Sequence, residues 1–146
     1  MAEKVVRPLS PLVWLPTFAT DEEDVDRQHR KLMVDINELT NLLFDGHPWS
    51  LVVAKSRELR EESIEHFRTE EEVLKKTVYA RFNQHQADHR HLVGQLDDIV
   101  EHLAGQRRAS RADIEAVLYL RSMLIDHFFR KDIAYKSHVL ISRRKW

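Results

Sequence analysis

The sequence predicts an all-α fold, an antiparallel up-down-up-down four-helix bundle preceded by an extended N-terminal arm. Apolar residues recur at spacings of three and four over most of residues 21–135, which is the period of a helix with one buried face. Only three glycines and four prolines occur in 146 residues, and three of the prolines lie before residue 17. Short turns between long helices favour antiparallel neighbours.

The first helix is predicted over residues 21–45 and the second over residues 50–77. Thr20 and Glu23 have the spacing of a capping box, and a heptad-like stripe follows them (Val25, Leu32, Ile36, Leu39, Leu43). Pro48, in "DGHPWS", separates the two helices because a proline seldom continues a helix. The second helix carries an apolar stripe on a strongly charged background.

The third helix is predicted to begin at a cap formed by Asn83 and Gln86 and to continue through Leu103. Gly105 marks the next turn, Ser110 is the predicted cap of the fourth helix, and that helix continues to about Tyr135. We therefore divide the chain into an arm (1–19), a bundle (20–138) and a basic, solvated tail (139–146).

Composition excludes several classes of protein. The chain has 23 basic and 24 acidic residues, so its charge provides no general attraction for nucleic acid or for an anionic membrane. There is no cysteine, which excludes disulfides, thiolate zinc sites and iron–sulfur clusters. The continuous apolar stretch at the N-terminus is too short, and the segment is too charged, for a signal peptide or a membrane span. We therefore expect a cytoplasmic protein.

Each predicted helix carries histidine on its inward apolar stripe: His29, His66, His85, His89 and His127. Buried neutral imidazoles would leave ring nitrogens unsatisfied, at about 1 to 3 kcal/mol each, unless a common partner accepts them. A metal ion is such a partner. Nitrogen and oxygen ligands suit iron, manganese, zinc or copper, and this number of donors exceeds the need of one ion, which indicates a dinuclear site.

Helix geometry limits which side chains share a face. His85 and His89 are separated by about 40° around the helix axis and can reach one metal. Glu70 and Glu62 both lie on the face of His66, so the sequence leaves that carboxylate open. Asp126 and Asp132 lie about 100° and about 140° from His127 on a regular helix. A local widening to hydrogen bonds between residues i and i+5 would bring Asp132 beneath His127.

Four motifs together resemble the hemerythrins, specifically the single-domain bacterial members: "DRQH" at 26–29, "HFRTEE" at 66–71, "HQADHRHL" at 85–92 and "HFFRKDIAY" at 127–135. The resemblance extends from about Trp14 to Tyr135. It implies two iron ions joined by an oxo or hydroxo bridge, with His29, His66, His85, His89 and His127 as terminal ligands and Glu70 and Asp132 as bridging ligands. It favours Glu70 over Glu62 and Asp132 over Asp126. It also implies an oxygen pocket lined by Leu32, Leu124 and Phe128, with Tyr135 beside the site.

The resemblance implies a non-enzymatic protein that binds O2 reversibly, as peroxide, at one open iron position, for storage, delivery or buffering. One alternative is a sensor of O2, NO or redox state that acts on a separate partner. Another is a slow di-iron oxidase or an iron-detoxification protein, and a further one is a metal-free bundle with structural histidines. O2 is the expected ligand, and an oxygen-using enzyme or a signalling protein is the candidate partner. A monomer is the expected state, with an oligomer as the alternative. The other histidines (His47, His91, His102, His138) are predicted to be ordinary surface or rim residues.

Overall fold

The computed structural model describes residues 10–108 and 110–143, and it confirms the predicted four-helix bundle. The described residues form four long α-helices and then a series of shorter helical segments. The long helices are α1 (Glu23–Phe44), α2 (Trp49–Lys76), α3 (Phe82–Ala104) and α4 (Arg111–Asp126). They are followed by a π-helical turn (His127–Lys131), a 3-10 turn (Ile133–Tyr135) and α5 (Lys136–Arg143).

The four long helices enclose one apolar core. Each packs against the next along the chain, and α1 also contacts α4, which closes the bundle. The core contains leucine, isoleucine, valine and phenylalanine side chains from all four helices, including Leu32, Leu59, Leu96 and Leu124. This apolar interior ends at a polar layer near the C-terminal end of α4, where the inward histidines lie.

Two of the predicted helix boundaries are explained by local chemistry. Gly46 has a φ of +69°, a left-handed conformation that glycine adopts without the strain of a Cβ atom, and Pro48 precedes α2. Ser110 caps α4 as predicted: its side chain accepts from the backbone N–H of Asp113, and the Asp113 carboxylate accepts from the backbone of Ser110.

The two other predicted caps are wrong. Thr20 and Glu23 do not form a capping box; instead the buried Asp26 carboxylate accepts hydrogen bonds of 2.7 Å from both the backbone N–H and the hydroxyl of Thr20. A charged acceptor one turn into the helix is a stronger partner than the expected one. The third helix begins at Phe82, and its N-cap residue, Arg81, makes no side-chain cap.

The described part of the arm, residues 10–19, packs on the bundle. Leu12 exchanges two backbone hydrogen bonds with the Asn37 side chain, at 2.8 and 2.9 Å. The buried Arg121 donates to the Ser10 carbonyl at 2.6 Å, and the ring of Phe18 stacks on Phe129 with centroids 3.8 Å apart. The remainder of the predicted arm, residues 1–9, lies outside the described residues.

Helical structure continues beyond residue 138, where the sequence predicts the basic tail to begin. Val139 of α5 is fully buried and packs with Leu74 and Tyr135. The last residues of the predicted tail, 144–146, lie outside the described part of the chain. None of the described helices combines the length and the apolar character needed to cross a membrane.

Candidate metal centre

All seven side chains that the sequence nominated as metal ligands meet in one buried layer of the bundle. One comes from α1, two from α2, two from α3, one from the π-helical turn and one from the position just after it (His29, His66, Glu70, His85, His89, His127, Asp132). They form two overlapping groups. One contains His85, His89 and His127, the other contains His29 and His66, and both contain Glu70 and Asp132.

Glu70 offers one carboxylate oxygen to each group. Its Oε1 lies 2.7 Å from Nε2 of His85 and 2.8 Å from Nε2 of His89. Its Oε2 lies 3.4 Å from Nε2 of His66 and 3.8 Å from Nε2 of His29.

Asp132 is arranged in the same way. Its Oδ1 lies 3.0 Å from Nε2 of His85 and 3.1 Å from Nε2 of His127, whereas its Oδ2 lies 2.8 Å from Nε2 of His29 and 3.7 Å from Nε2 of His66. Each carboxylate therefore stands between the two groups of imidazoles with one oxygen toward each. Two bridging carboxylates require this arrangement.

A π-helical turn places Asp132 in the cluster. The backbone N–H of Asp132 donates to the carbonyl of His127, five residues earlier, at 2.9 Å. The wider turn rotates Asp132 onto the face of His127, which a regular helix would not do, and so brings this residue to the site. Asp126, the alternative, has an accessible carboxylate 3.4 Å from Arg130.

The electrostatics of the cluster favour positive charge. Burial lowers the pKa of His66, His85 and His127, but the nearby carboxylates of Glu70 and Asp132 outweigh burial and raise the pKa to about 9, about 9 and about 10 respectively. Burial raises the pKa of Glu70, but the histidines hold it well below its usual range. Protons on imidazole thus balance the two buried carboxylates when no other cation does so.

The donor set fits a pair of metal ions. Nε2 of His66, Nε2 of His127 and Oδ1 of Asp132 are buried and make no well-aligned hydrogen bond with any described residue. Unsatisfied buried polar atoms are costly, and here the two imidazole nitrogens face carboxylate oxygens rather than apolar neighbours. Five imidazoles and two carboxylates, all with oxygen or nitrogen donors, suit a first-row transition metal such as iron.

Sequence reasoning missed three residues around these histidines. Nδ1 of His66 is paired with the side-chain oxygen of Gln28 at 3.0 Å, and Nδ1 of His89 is paired with the Glu71 carboxylate at 3.0 Å. The ring of Phe67 stacks on His89 with centroids 4.2 Å apart. Each missed residue directly follows or precedes a nominated ligand in the chain, and that adjacency is the available signal. Such outer partners orient metal-binding imidazoles.

Phe128, one of the three residues nominated for an oxygen pocket, lies on the side of His29 and His66. The Phe128 ring centroid is 4.9 Å from that of His29 and 5.6 Å from that of His66. Leu32 and Leu124 are buried in the same apolar cluster as Phe128. Tyr135 is also buried, and its hydroxyl donates to Oε2 of Glu70 at 2.9 Å. Burial and the nearby carboxylates raise the pKa of Tyr135 well above its usual range, so it is a donor.

A third group of acidic side chains does not compete with this cluster. Asp35, Glu58 and Glu62 lie close together between α1 and α2. The amine of Lys31 lies 2.8 Å from Asp35 and 3.3 Å from Glu62, and that of Lys55 lies 2.9 Å from Glu58. Lysine ammonium groups already supply the positive charge here.

The chain is similar over most of its length to several known proteins. A hemerythrin-like protein from Naegleria gruberi is 26% identical over 127 residues, which cover 87% of this chain and 92% of the relative. A bacteriohemerythrin from Methylococcus capsulatus is 27% identical over 119 residues, 81% of this chain and 88% of the relative. A crystal structure of wild-type hemerythrin superposes with a TM-score of 0.76 at 25% identity, covering 89% of this chain and 98% of that one.

The family model described as "Hemerythrin HHE cation binding domain" matches residues 20–137. The matched segment contains all of the described long helices and every side chain of the buried cluster. With that match over most of its length, the chain belongs to the hemerythrin family.

Proposed function

We propose that the protein is a non-haem di-iron protein that binds O2 reversibly, with His29, His66, Glu70, His85, His89, His127 and Asp132 as the iron ligands. The observation that carries the proposal is the pair of overlapping buried groups that share both carboxylates. A purely structural role for these histidines would not require each carboxylate to place one oxygen at each of the two groups.

The two groups differ by one donor, and the difference has a consequence for ligand binding. His85, His89 and His127 with one oxygen from each carboxylate give five donors, whereas His29 and His66 with the other two oxygens give four. The ion held by His29 and His66 would therefore have one protein ligand fewer than the other and would supply the position for O2, on the side that Phe128 covers.

The irons would supply the open coordination position for O2 and the electrons that bind it. The protein's own side chains would then determine whether O2 binds reversibly or reacts further. Leu32, Leu124 and Phe128 belong to one buried apolar cluster and would exclude water and competing anions. Neutral imidazoles favour iron(II) over the high-valent states that attack C–H bonds, so we assign the protein as a carrier rather than an oxygenase.

Iron content and optical spectra test this proposal. The purified protein should contain two irons per chain, and the reduced form should gain a visible absorption band in air and lose it again when O2 is removed. Irreversible conversion to the oxidised form on first exposure would contradict the carrier assignment. Bound zinc, or a chain that does not retain iron after reconstitution, would contradict the di-iron assignment.

A further inference from the structure

A surface cavity of about 280 Å³ lies directly outside the buried cluster, between α3 and the end of α4. His85 forms part of its lining, and Tyr79, Arg81, Arg130 and Lys131 surround it. The proposed oxygen pocket does not include this cavity.

Two contacts connect the cavity with the centre. His85 is 5% exposed, more than any of the other six proposed ligands, while its Nε2 lies within 3.0 Å of both Glu70 and Asp132. The Tyr79 ring packs edge-on against Tyr135 at 6.2 Å, and the Tyr135 hydroxyl donates to Glu70. The cavity is therefore separated from the bridging carboxylates by a single side chain in one direction and by two in the other.

The surface around the cavity is basic in a chain whose net charge is −1. Arg81, Arg130 and Lys131 belong to it. Lys75 and Lys76, in the last turn of α2, precede Tyr79 and Arg81 in the chain. Asp88 is 3.1 Å from Lys131, and Asp126 is 3.4 Å from Arg130. The lining of the cavity thus contains three cations and one carboxylate. The segment from Lys75 to Arg81 has no acidic residue.

We infer that this cavity is the docking site for an acidic one-electron donor protein that returns the oxidised centre to its reduced form. The inference rests on the proposed function, since an oxygen carrier that loses electrons to O2 must be reduced again. Each docked donor is oxidised by one electron, so two donor molecules reduce two iron(III) ions to two iron(II) ions. No covalent bond of the protein forms or breaks.

The charge distribution favours a protein over a small anion as the occupant. The Arg130 side chain is 80% exposed, and Arg130 and Lys131 each lie beside a carboxylate, so the cations do not converge as the tight donors of an anion pocket do. Exposed charges spread around a site steer a charged partner and suit small, short-lived interfaces, which electron-transfer complexes use. Electrons would then enter beside His85, while O2 would bind beside His29 and His66.

The test uses the iron-loaded, oxidised full chain and a reduced plant-type [2Fe–2S] ferredoxin as an acidic donor. Reduction of the iron centre is followed optically by stopped flow at low ionic strength. The double variant Arg81→Glu with Arg130→Glu should lower the second-order rate at least tenfold, and added salt should shrink the difference. A matched double variant at the opposite end of the bundle, Arg108→Glu with Arg111→Glu, should keep a rate within twofold of wild type.

Two further measurements separate docking from damage to the centre. Reduced methyl viologen, a small cationic donor, should reduce the variant at least as fast as wild type. With both proteins oxidised, calorimetric titration with ferredoxin should give a Kd at least tenfold weaker for the variant than for wild type. An unchanged ferredoxin rate and Kd, or slower reduction by both donors, would overturn the inference. A different outcome would overturn the proposed function alone: the protein would not bind O2 reversibly, but ferredoxin docking would still depend on the two arginines.

Discussion

Glu70 and Glu71 are neighbours in the chain, yet their carboxylates lie on opposite sides of the His89 ring. Glu70 is fully buried and meets Nε2 of His89, whereas Glu71 is 23% exposed and meets Nδ1 of the same ring. One helical step of about 100° is enough to separate these two positions. The exposed Glu72 continues the same run and serves as an internal comparison.

The variant Glu71→Gln should weaken metal binding without removing a ligand. Loss of the negative charge beside Nδ1 of His89 makes that imidazole a weaker and less well oriented donor, and changes of this kind cost about 10 to 100-fold in affinity. Competition for iron(II) or zinc with a chelator measures the effect. Glu72→Gln is the control, and an equal affinity for both variants would contradict the proposed part of Glu71.

The histidine pKa values also predict how the metal-free protein responds to pH. The pKa of His66, His85 and His127 is raised above the ordinary 6.5, to about 9, 9 and 10. The stability that these groups contribute is therefore complete below pH 6.5 and lost as pH rises through 9 to 10. The pKa of Glu70 and of Asp132 is lowered, so their contribution is present above pH 4.5 and lost in acid.

We expect the melting temperature of the chelator-treated protein to fall steadily between pH 6.5 and pH 10. The metal-loaded protein should show little of this fall, because metal ions replace the protons between imidazole and carboxylate. Thermal melts of both forms followed by circular dichroism measure the difference. Parallel pH profiles for the two forms would show that these imidazoles do not carry the protons.

At the scale of elements, the turn after α2 holds Val78 in an unfavourable backbone conformation. Its φ is +55°, its side chain is 82% exposed, and the turn has the hydrogen bonds of a Schellman motif: Val78 N–H to Lys75 and Tyr79 N–H to Leu74. Glycine or asparagine usually occupies this position. The strained turn directs Tyr79 onto Tyr135 and so forms one wall of the surface cavity.

Replacement of Val78 by glycine should stabilise the protein. A left-handed conformation costs an L-residue about 1 to 2 kcal/mol, and the extra freedom of glycine in the unfolded chain cancels about 0.4 to 1 kcal/mol of that gain. Urea denaturation should therefore show a net increase of about 0.5 to 1 kcal/mol. Ala80 lies in the same loop but has no positive φ, so Ala80→Gly should not stabilise the protein. A Val78→Gly variant that is less stable than wild type would contradict the proposed backbone strain at Val78.

For the whole molecule, metal binding and the bundle depend on each other. The proposed ligands come from α1, α2 and α3, from the π-helical turn after α4 and from the residue that follows this turn. Metal binding would therefore join segments that are more than 100 residues apart in the chain, such as those of His29 and Asp132. A ligand that binds only the folded state stabilises it by an amount that grows with its concentration, about 4 kcal/mol at 1,000 times its Kd.

The variant His89→Ala should lower iron stoichiometry and melting temperature together, since His89 is one of the proposed ligands beside Glu70. His91→Ala is the matched control, because His91 is two residues away on the same helix and exposed. Metal analysis and thermal melts of the iron-loaded proteins check the prediction. Full iron stoichiometry in His89→Ala would exclude His89 as a ligand.

Periodicity alone determined the four helices, the inward direction of the five histidines and the presence of a common polar layer, because helix pitch fixes which residues share a face. It did not decide Glu70 against Glu62 or Asp132 against Asp126; for those the sequence needed its resemblance to the hemerythrins. For Asp132 the tertiary structure gives the physical reason, since the π-helical turn changes the rotation between His127 and Asp132.

Other features were decided only when the helices packed. The Asp26 carboxylate replaced the predicted cap at Thr20, and Glu71 and Gln28 met imidazole nitrogens that belong to other helices. The division of each carboxylate's two oxygens between two groups of histidines also depends on distances across the bundle. Sequence spacing fixes direction around a single helix, whereas the distances between donors on different helices exist only in the folded chain.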